Sequence, residues 1–223
     1  ASDVYKRQVQ EDRPVWQQCL DTEFLRRMEN GTLDEACFKG YIVEDSLYLR
    51  EYAKVFAWGM TKARTMETLR NYYSLLGFVQ ESEDVTRLHY LEQFGLSEAD
   101  LQALPLRPEN RAYVDYMIDT ARNSEDAAEC MMACLPCMLS YGWIFQKLLE
   151  EKTSVQDTLY GALVVDYADK GYEAACRDWA AFAEKVCEGL SDERLARCRE
   201  IFHACSEHEL NFWAMAASPR SDL

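Results

Sequence analysis

Apolar and polar residues along this chain recur with the 3.6-residue period of amphipathic helices, and no stretch shows the strict alternation of a half-buried strand. Only nine glycines and five prolines interrupt the 223 residues. The pattern predicts helices over residues 14–30, 34–61, 65–95, 97–104, 110–122 and 124–151, followed by helical segments that divide near 170 and 190. Short connections between these segments favour one all-α domain, a bundle of seven or eight helices.

Several residues indicate where these helices begin or bend. Pro14 suits the first turn of the first helix, and Thr32 opens a sequence with the spacing of a capping box. Ser124 is expected to cap the helix that follows it. Pro136 lies inside that helix and removes a backbone donor, so we expect a bend at this point.

The composition narrows the class of protein. The length suits one large domain, which we place at residues 11–217, and we expect residues 1–10 and 218–223 to be frayed ends. No apolar run approaches the length of a membrane span, and we see no secretory leader. The net charge is −15, from 39 acidic and 24 basic residues, and such a surface repels phosphate backbones. We therefore expect neither a membrane nor a nucleic-acid partner.

The cysteines suggest both a compartment and a candidate nucleophile. Nine cysteines are an odd number, and most lie within helical patterns, which favours reduced thiols and a cytoplasmic location. One helix stripe carries residues at steps of four, three and four: Cys130, Cys134, Cys137 and Tyr141. Because cysteine is also a common core residue, this stripe is compatible with packing alone or with a nucleophile at Cys137, beside the proline.

Two carboxylates share helix faces with aromatic residues. Asp45 lies between Tyr41 and Tyr48 at steps of four and three, and Glu209 shares a stripe with a thiol and two aromatic rings. A carboxylate is costly to bury without a partner, so each either serves a ligand or a proton transfer, or forms a cap or salt bridge. Together with the thiol, they suggest a polar pocket inside a helical bundle. Glu44, one step aside, is expected to face solvent.

In their order and spacing, four segments resemble the TenA family, the thiaminase II type of aminopyrimidine hydrolase. The segments are Phe38-x-x-Tyr41-x-x-x-Asp45-Ser46-x-Tyr48-Leu49, Leu135-Pro136-Cys137-x-x-x-Tyr141, the pair Tyr160 and Tyr167, and Glu209-x-x-Phe212-Trp213. Any one segment is a short pattern, but all four in this order are quite specific. The resemblance covers nearly the whole chain, from about Trp16 to Met215.

The resemblance implies an all-α fold of the haem-oxygenase-like type, usually assembled as a homotetramer, with no metal or organic cofactor. It implies hydrolysis of 4-amino-5-aminomethyl-2-methylpyrimidine to the hydroxymethyl compound in thiamin salvage, and cleavage of thiamin itself. The site residues that it implies are Cys137 as nucleophile, Asp45 and Glu209 as the two acids, and the pocket aromatics Tyr48, Tyr113, Tyr141 and Tyr167.

This chain departs from the family pattern at two places. Many members have Gln before the aspartate, whereas this chain has Glu44, which adds a negative charge near the pocket. The Tyr-Gly-Gly run of many members is Tyr167-Ala168-Asp169 here. Both departures leave the substrate preference open.

The residue types suit the chemistry that the resemblance implies. A protonated Glu209 can donate to a ring nitrogen, and Asp45 can accept from the amino edge of the ring. The thiolate of Cys137 can then add to a ring carbon, after which ammonia or thiazole leaves from the methylene carbon and water takes its place. Tyr141 and Tyr167 would orient the ring and donate to the departing amine or the incoming water. The reverse assignment of the two acids remains open.

Other classes of protein require other residues. A haem site of this fold needs a histidine in an early helix, and the first histidine is His89. A di-iron site needs two Glu-x-x-His pairs, and only Glu200 and His203 have that spacing. A zinc site built from the cysteine stripe with His203 or His208 would have an uncommon ligand spacing. A non-catalytic binder or regulator of thiamin-like ligands would keep the pocket and lack turnover.

Overall fold

The computed structural model describes residues 4–81 and 84–223. Within them the chain forms eleven α-helices and one short 3-10 helix. The α-helices are α1 (Val4–Leu20), α2 (Glu23–Glu29), α3 (Glu35–Lys62), α4 (Met66–Glu81), α5 (Asp84–Gln93), α6 (Glu98–Gln102), α7 (Pro108–Asn123), α8 (Ala127–Glu151), α9 (Gly161–Ala168), α10 (Lys170–Cys187) and α11 (Asp192–Ala216). The 3-10 helix (Thr153–Asp157) precedes α9. The all-α class is confirmed, and the predicted number of seven or eight helices is wrong.

The predicted number is too low because long periodic segments are divided. The segment 14–30 belongs to two helices, α1 and α2, and Pro14 lies inside α1 rather than in a first turn. The chain turns between them at Thr22, whose hydroxyl donates to the carbonyl of Cys19 at 2.6 Å. The segment 65–95 contains α4 and α5, with residues 82 and 83 outside the described ranges. Hydrophobic periodicity does not report the break between α1 and α2, because the apolar pattern of the sequence continues across it.

Two predicted helix caps are also wrong. Thr32 lies in the turn after α2, where its backbone nitrogen donates to the carbonyl of Arg27 at 2.8 Å, and α3 begins without a side-chain cap. Helix α8 is capped by Asp126, whose carboxylate accepts from the backbone nitrogen of Ala128 at 2.9 Å. A carboxylate at this position also interacts favourably with the helix dipole. Ser124 instead closes α7.

Helix α8 lies at the centre of the domain. It packs against α3, α9, α10 and α11, and it continues as one helix through Pro136. Its 25 residues are long and apolar enough for a membrane span, but 83% of its most apolar window is buried inside the protein. In the described part of the chain no second helix meets that test. Other helices cover α8 on most sides, so most of its faces contact protein and its residues are mostly apolar.

The two ends of the described chain both pack onto this domain. Helix α1 begins at Val4 and lies against α8 and α11. At the other end, the carbonyl of Ser218 accepts a hydrogen bond from Arg107 at 2.9 Å, and the side chain of Arg220 is buried. These contacts lie outside the predicted limits of 11–217, which remain a prediction.

Candidate active site

Glu209 lies at the centre of the candidate site, on α11, with only 2% of its surface exposed. Its Oε1 accepts a 2.7 Å hydrogen bond from the hydroxyl of Tyr113 on α7. Its carboxylate also accepts a hydrogen bond from the thiol of Cys137 on α8. Burial raises the pKa of Glu209 to about 7, although both hydrogen bonds favour the charged form and lower it. A carboxyl group with this pKa can both accept and donate a proton near neutral pH.

Cys137 differs from the two other cysteines on its stripe. It is partly exposed, whereas Cys130 and Cys134 are fully buried. The thiol of Cys130 is hydrogen-bonded to the hydroxyl of Ser124 at 3.4 Å, and burial raises the pKa of Cys134 well above its usual range. The stripe therefore contains two core positions and one position, Cys137, that is directed at the carboxylate of Glu209.

Hydroxyl groups from neighbouring helices hold the turn of α8 that carries Cys137. Because Pro136 has no N–H group, α8 loses one internal hydrogen bond at this turn. The hydroxyl of Tyr52 on α3 donates to the carbonyl of Cys134 at 2.7 Å, and that of Tyr172 on α10 donates to the carbonyl of Met138 at 3.1 Å. These bonds lie on either side of the proline and connect this turn to two other helices.

Asp45 is the second carboxylate of the site, on the inward face of α3, with 4% of its surface exposed. Burial raises the pKa of Tyr41 and of Tyr141, and the charge of Asp45 adds to both effects. The hydroxyl of Tyr41 donates to that of Tyr141 at 3.4 Å. Tyr41 shares the stripe of Asp45, so the same period that indicated the aspartate could have identified this tyrosine as part of the site.

The remaining predicted aromatic residues lie in two groups. The hydroxyl of Tyr48 donates to the sulfur of Met117 at 3.7 Å, and the centroids of the rings of Tyr48 and Tyr113 are 5.1 Å apart. The ring of His208 is nearly parallel to that of Tyr113, with centroids 5.3 Å apart. Tyr167 on α9 belongs to the second group, in which its ring meets the ring of Tyr141 edge-on, with centroids 4.9 Å apart. The structure therefore brings Tyr48, Tyr113, Glu209 and Cys137 into one group and Tyr141 and Tyr167 into a second. The charge of Asp45 acts on Glu209 and on Tyr141.

A cavity of about 520 Å³ opens at the Asp45 end of the site, and its lining does not include Cys137 or Glu209. Among the predicted site residues, Asp45 and Tyr167 line it. Asp169, in the segment that departs from the family pattern, also lines it and accepts a 2.6 Å hydrogen bond from the backbone of Gly171 at the start of α10. The volume is typical of sites for small molecules. Asp45 belongs both to this cavity and to the buried polar group around Glu209.

Glu44 is buried, and the prediction that it faces solvent is wrong. Its carboxylate pairs with the guanidinium of Arg220 and accepts a hydrogen bond from the side chain of Asn110 at 2.8 Å. The negative charge that Glu44 adds near the pocket is therefore balanced by a cation. No helical period relates Glu44 to Arg220, because they lie 176 residues apart in the chain.

The histidines considered for metal sites have other partners. His203 pairs through Nδ1 with the carboxylate of Asp12, across the interface between α1 and α11. His208 stacks on Tyr113. Within residues 4–81 and 84–223, no three His, Cys, Asp or Glu side chains are grouped as ligands for a metal ion.

Comparisons with known proteins agree on one family. The profile of the TENA/THI-4/PQQC family matches residues 9–218. The chain is 29% identical over 208 residues to an aminopyrimidine aminohydrolase of Helicobacter pylori, with 93% of this chain and 95% of that protein covered. It is 28% identical over 209 residues to a protein of the same name from Halalkalibacterium halodurans, with 93% and 92% covered.

A solved structure is similar over almost the same extent. The crystal structure of a TenA family transcription regulator from Silicibacter sp. TM1040 aligns with a TM-score of 0.87 and 25% identity, and 98% of each chain is covered. The all-α domain described above is therefore the haem-oxygenase-like TenA fold. Together with the match of the family profile over residues 9–218, this shows that the chain belongs to the TENA/THI-4/PQQC family.

Proposed function

We propose that this protein hydrolyses 4-amino-5-aminomethyl-2-methylpyrimidine to the hydroxymethyl compound and ammonia, in thiamin salvage. The observation that carries the proposal is the hydrogen-bonded chain from Tyr113 through Glu209 to Cys137. In this chain a partly exposed thiol is next to a buried carboxyl group whose pKa is about 7. The two relatives named aminopyrimidine aminohydrolase, at 28% and 29% identity, support the same reaction class.

The first step is addition of sulfur to the ring. Glu209 enters the step protonated and donates its proton to a ring nitrogen of the substrate. It then accepts the proton of the Cys137 thiol, to which it is already hydrogen-bonded. The protonated ring is electrophilic, so the Cys137 thiolate adds to a ring carbon. The proton of the thiol therefore replaces the one that Glu209 gave to the ring nitrogen, and the net charge of the site is unchanged.

The second step exchanges the leaving group. Electrons of the ring nitrogen return and expel ammonia from the methylene carbon, with Tyr141 or Tyr167 donating to the departing amine. Water then adds to the methylene carbon, and the C–S bond to Cys137 breaks to restore the aromatic ring. Glu209 donates its proton to the Cys137 sulfur and recovers the one on the ring nitrogen. The proton that the added water loses replaces the one that the departing amine took, so the enzyme regains its initial state.

Asp45 and the cavity give this reaction its substrate class. A small aminopyrimidine fits within about 520 Å³. A carboxylate at Asp45 accepts hydrogen bonds from the exocyclic amine, which fixes the orientation of the ring. Thiamin has the same pyrimidine, with a thiazolium in place of the amine, and we propose it as a second substrate.

Incubation with the aminomethylpyrimidine tests the proposal directly. We expect stoichiometric release of ammonia and of the hydroxymethyl product, measured by a coupled ammonia assay and by mass spectrometry. The Cys137→Ser variant is the matched control, because it keeps the shape of the site and removes the nucleophile. Absence of ammonia release by the wild-type protein under conditions where it binds the pyrimidine would reject the hydrolase.

That outcome would favour the second candidate, a non-catalytic binder or regulator of thiamin-like pyrimidines. The similar structure from Silicibacter is named a transcription regulator, which gives this alternative a specific basis. The net charge of −15 disfavours direct binding to DNA, so such a regulator would act through a protein. Calorimetry with the pyrimidine separates binding from turnover.

We also propose a homotetramer in the cytoplasm. The tetramer follows the resemblance stated above, and exposed apolar side chains such as Tyr73 and Met66 on α4 are available for contacts between copies. Light scattering at micromolar concentration tests the assembly, and a stable monomer would contradict it. Fractionation of cells with an antibody to this protein tests the location.

A further inference from the structure

The segment after α11 is fastened to the helices that form the candidate site. We call residues 217–222 the tail. The carbonyl of Ala217 accepts a hydrogen bond from the thiol of Cys37 on α3 at 3.3 Å. The carbonyl of Ser218 accepts from Arg107 Nη1 at 2.9 Å. The tail then turns inward at Arg220, whose side chain is only 2% exposed.

The guanidinium of Arg220 has acceptors on several sides. It pairs with the carboxylate of Glu44 on α3, and its Nη2 donates to the carbonyl of Pro105 at 2.9 Å. Its Nε and Nη2 also bind the two carboxylate oxygens of Asp222 at 2.8 and 2.7 Å. A planar group with five donors in fixed directions suits this arrangement, whereas the ammonium group of lysine cannot reach all three partners.

Gly40 allows the tail to approach α3 closely. A Cβ atom added at Gly40 would lie 3.3 Å from the backbone nitrogen of Arg220 and 3.4 Å from its Cγ. Gly40 lies one turn before Glu44 on α3, so the tail makes its close approach next to the Glu44–Arg220 ion pair. The backbone and the side chain of Arg220 therefore both pack against α3.

Glu44 extends this contact to α7. Its Oε2 accepts from Asn110 Nδ2 at 2.8 Å, and the same Nδ2 lies 2.9 Å from the backbone carbonyl of Glu44. Asn110 lies one turn before Tyr113, and Glu44 immediately precedes Asp45. The Glu44–Arg220 pair thus connects α3, α7 and the tail of α11, which are the elements that carry Asp45, Tyr113 and Glu209.

We propose that Arg220 is a positioning residue for the candidate site and acts through Glu44, an inference that rests on the proposed function. The pair holds three helices in one register and so sets the separation of the catalytic side chains that they carry. If one charge is removed, the other is left buried without its counter-ion, and the surrounding segments must shift or admit water. Hydrogen bonds weaken steeply with misalignment, so a small shift weakens those of Glu209.

The test compares Arg220→Gln with the neutral double variant Glu44→Gln/Arg220→Gln. We expect kcat/KM of the single variant to fall about tenfold or more, mainly through kcat, because an unpaired charge remains buried. The double variant should regain activity to within about threefold of the wild type, since neutral replacement of a buried pair is often tolerated. Arg107→Gln is the matched control. It removes a guanidinium that contacts the tail from outside and leaves the Glu44–Arg220 pair intact, so its kcat/KM should stay within about twofold of the wild type.

A second measurement does not depend on the substrate. Among the described residues, Cys137 and Cys176 are the cysteines that are partly exposed. The rate at which iodoacetamide alkylates Cys137 depends on its contact with Glu209, and Cys176 serves as the internal reference. We expect Arg220→Gln to change the ratio of the two rates by about threefold or more, and the double variant to restore it. Arg220→Met, which also removes the positive charge, replaces Arg220→Gln if the latter does not fold.

The outcomes separate this inference from the proposed function. A wild-type protein that does not hydrolyse the pyrimidine rejects the proposed reaction, while the alkylation ratio still tests positioning by Arg220. Positioning is overturned if a folded Arg220 variant keeps the wild-type ratio and merely melts at a lower temperature. It is also overturned if the double variant leaves the ratio altered, because the charge of the pair then has no part in the effect.

Discussion

Tyr113 and Glu209 form a 2.7 Å hydrogen bond between α7 and α11, and both side chains are buried. The hydroxyl donates to the carboxylate, so the bond favours the charged form and lowers the pKa of Glu209. Burial acts in the opposite direction and is the larger effect, and the resulting pKa is about 7. The protonation state of the proposed acid is therefore set by this balance.

Tyr113→Phe should move the pH dependence of turnover to higher pH. Glu209 acts as an acid when it is protonated, so kcat of the wild type should decline as pH rises through the pKa of Glu209, at about 7. Loss of the Tyr113 hydroxyl removes a hydrogen bond that lowers this pKa, so the decline should begin at higher pH. The measurement is kcat at a series of pH values between 5.5 and 9.

Tyr116→Phe provides the control for this shift. Tyr116 lies on the same helix, and its hydroxyl is hydrogen-bonded to Thr120 rather than to the carboxylate. Its pH profile should match that of the wild type. A decline at the same pH in Tyr113→Phe and in the wild type would show that Glu209 is not the titrating acid.

Glu209→Gln should damage catalysis more than binding. Glutamine keeps the shape and can donate a hydrogen bond to the ring, but it cannot transfer a proton. We expect kcat to fall roughly a hundredfold to ten-thousandfold, the usual range for general acid catalysis, and the decline near pH 7 to disappear. Affinity for the hydroxymethyl product, measured by calorimetry, should change far less, because Asp45 and the tyrosines remain.

Asp45→Asn is the comparison, and it should weaken product binding as well as turnover. The amide presents donors toward the substrate amine and keeps only one acceptor. If Glu209→Gln binds poorly but turns over bound substrate at the normal rate, the roles assigned to the two carboxylates are reversed.

Cys137→Ser should reduce hydrolysis roughly a thousandfold or more, because a hydroxyl of high pKa cannot replace a thiolate. Folding and pyrimidine binding should persist, since serine is nearly isosteric and keeps a donor toward Glu209. Cys130→Ala and Cys134→Ala are the controls, and their turnover should stay within about threefold because both thiols belong to the core. Near-normal turnover in Cys137→Ser would remove this residue from the mechanism.

The sequence predicted which site residues share a helix face, but it did not predict which residues pair across long stretches of the chain. Helical periodicity places Asp45 with Tyr41 on one face of α3, because residues three and four apart are neighbours on a helix. The pairing of Glu44 with Arg220 joins residues 176 positions apart, and no periodicity predicts it. The expectation that Glu44 faces solvent was therefore wrong, since a buried charge is compatible with the pattern only when its distant partner is known.

Helix ends were predicted less well than helix faces, for a related reason. The apolar face continues from α1 into α2, while the break at Thr22 depends on one hydroxyl that donates to the carbonyl of Cys19. At the start of α8, Ser124 and Asp126 are both acceptable caps by residue type. Only the structure shows that Asp126 accepts from the first turn of α8, whereas Ser124 bonds to the carbonyl of Ala121.

The Asp12–His203 pair should make stability depend on pH. The hydrogen bond to Asp12 raises the pKa of His203, and burial raises the pKa of Asp12. Both residues therefore bind a proton more tightly in the folded state than in the unfolded state. A histidine with a raised pKa contributes stability that is complete below its unfolded pKa and is lost as pH rises through the folded value. The free energy of unfolding should therefore decrease between about pH 6 and pH 8.

Urea unfolding at these two pH values, for the wild type and for Asp12→Asn, measures this effect. The variant lacks the carboxylate, so its stability should change less with pH than that of the wild type. His89→Gln removes an exposed histidine outside the pair and should keep the wild-type dependence. An unchanged dependence in Asp12→Asn would show that other groups control it.

Gly59→Ala should destabilise the fold, because the core is closed around this position. A Cβ at Gly59 would overlap with ring carbons of Tyr72. That ring is fully buried, its edge contacts Phe182, and its hydroxyl donates to the carbonyl of Ala127, so it has little room to move. We expect a loss of about 1–3 kcal/mol, the usual cost of overpacking a core.

Gly77→Ala is the matched control, and its effect should have the opposite sign. Gly77 also lies within a helix, α4, but no atom stands within 4 Å of the Cβ that alanine would add. Alanine favours the helical conformation over glycine by about 0.5–1 kcal/mol, so this variant should be more stable than the wild type. In thermal melts the two variants should therefore move in opposite directions, by about 2–4 °C for each kcal/mol in a chain of this size. Equal shifts in both would mean that helix propensity, and not the contact with Tyr72, determines the effect at Gly59.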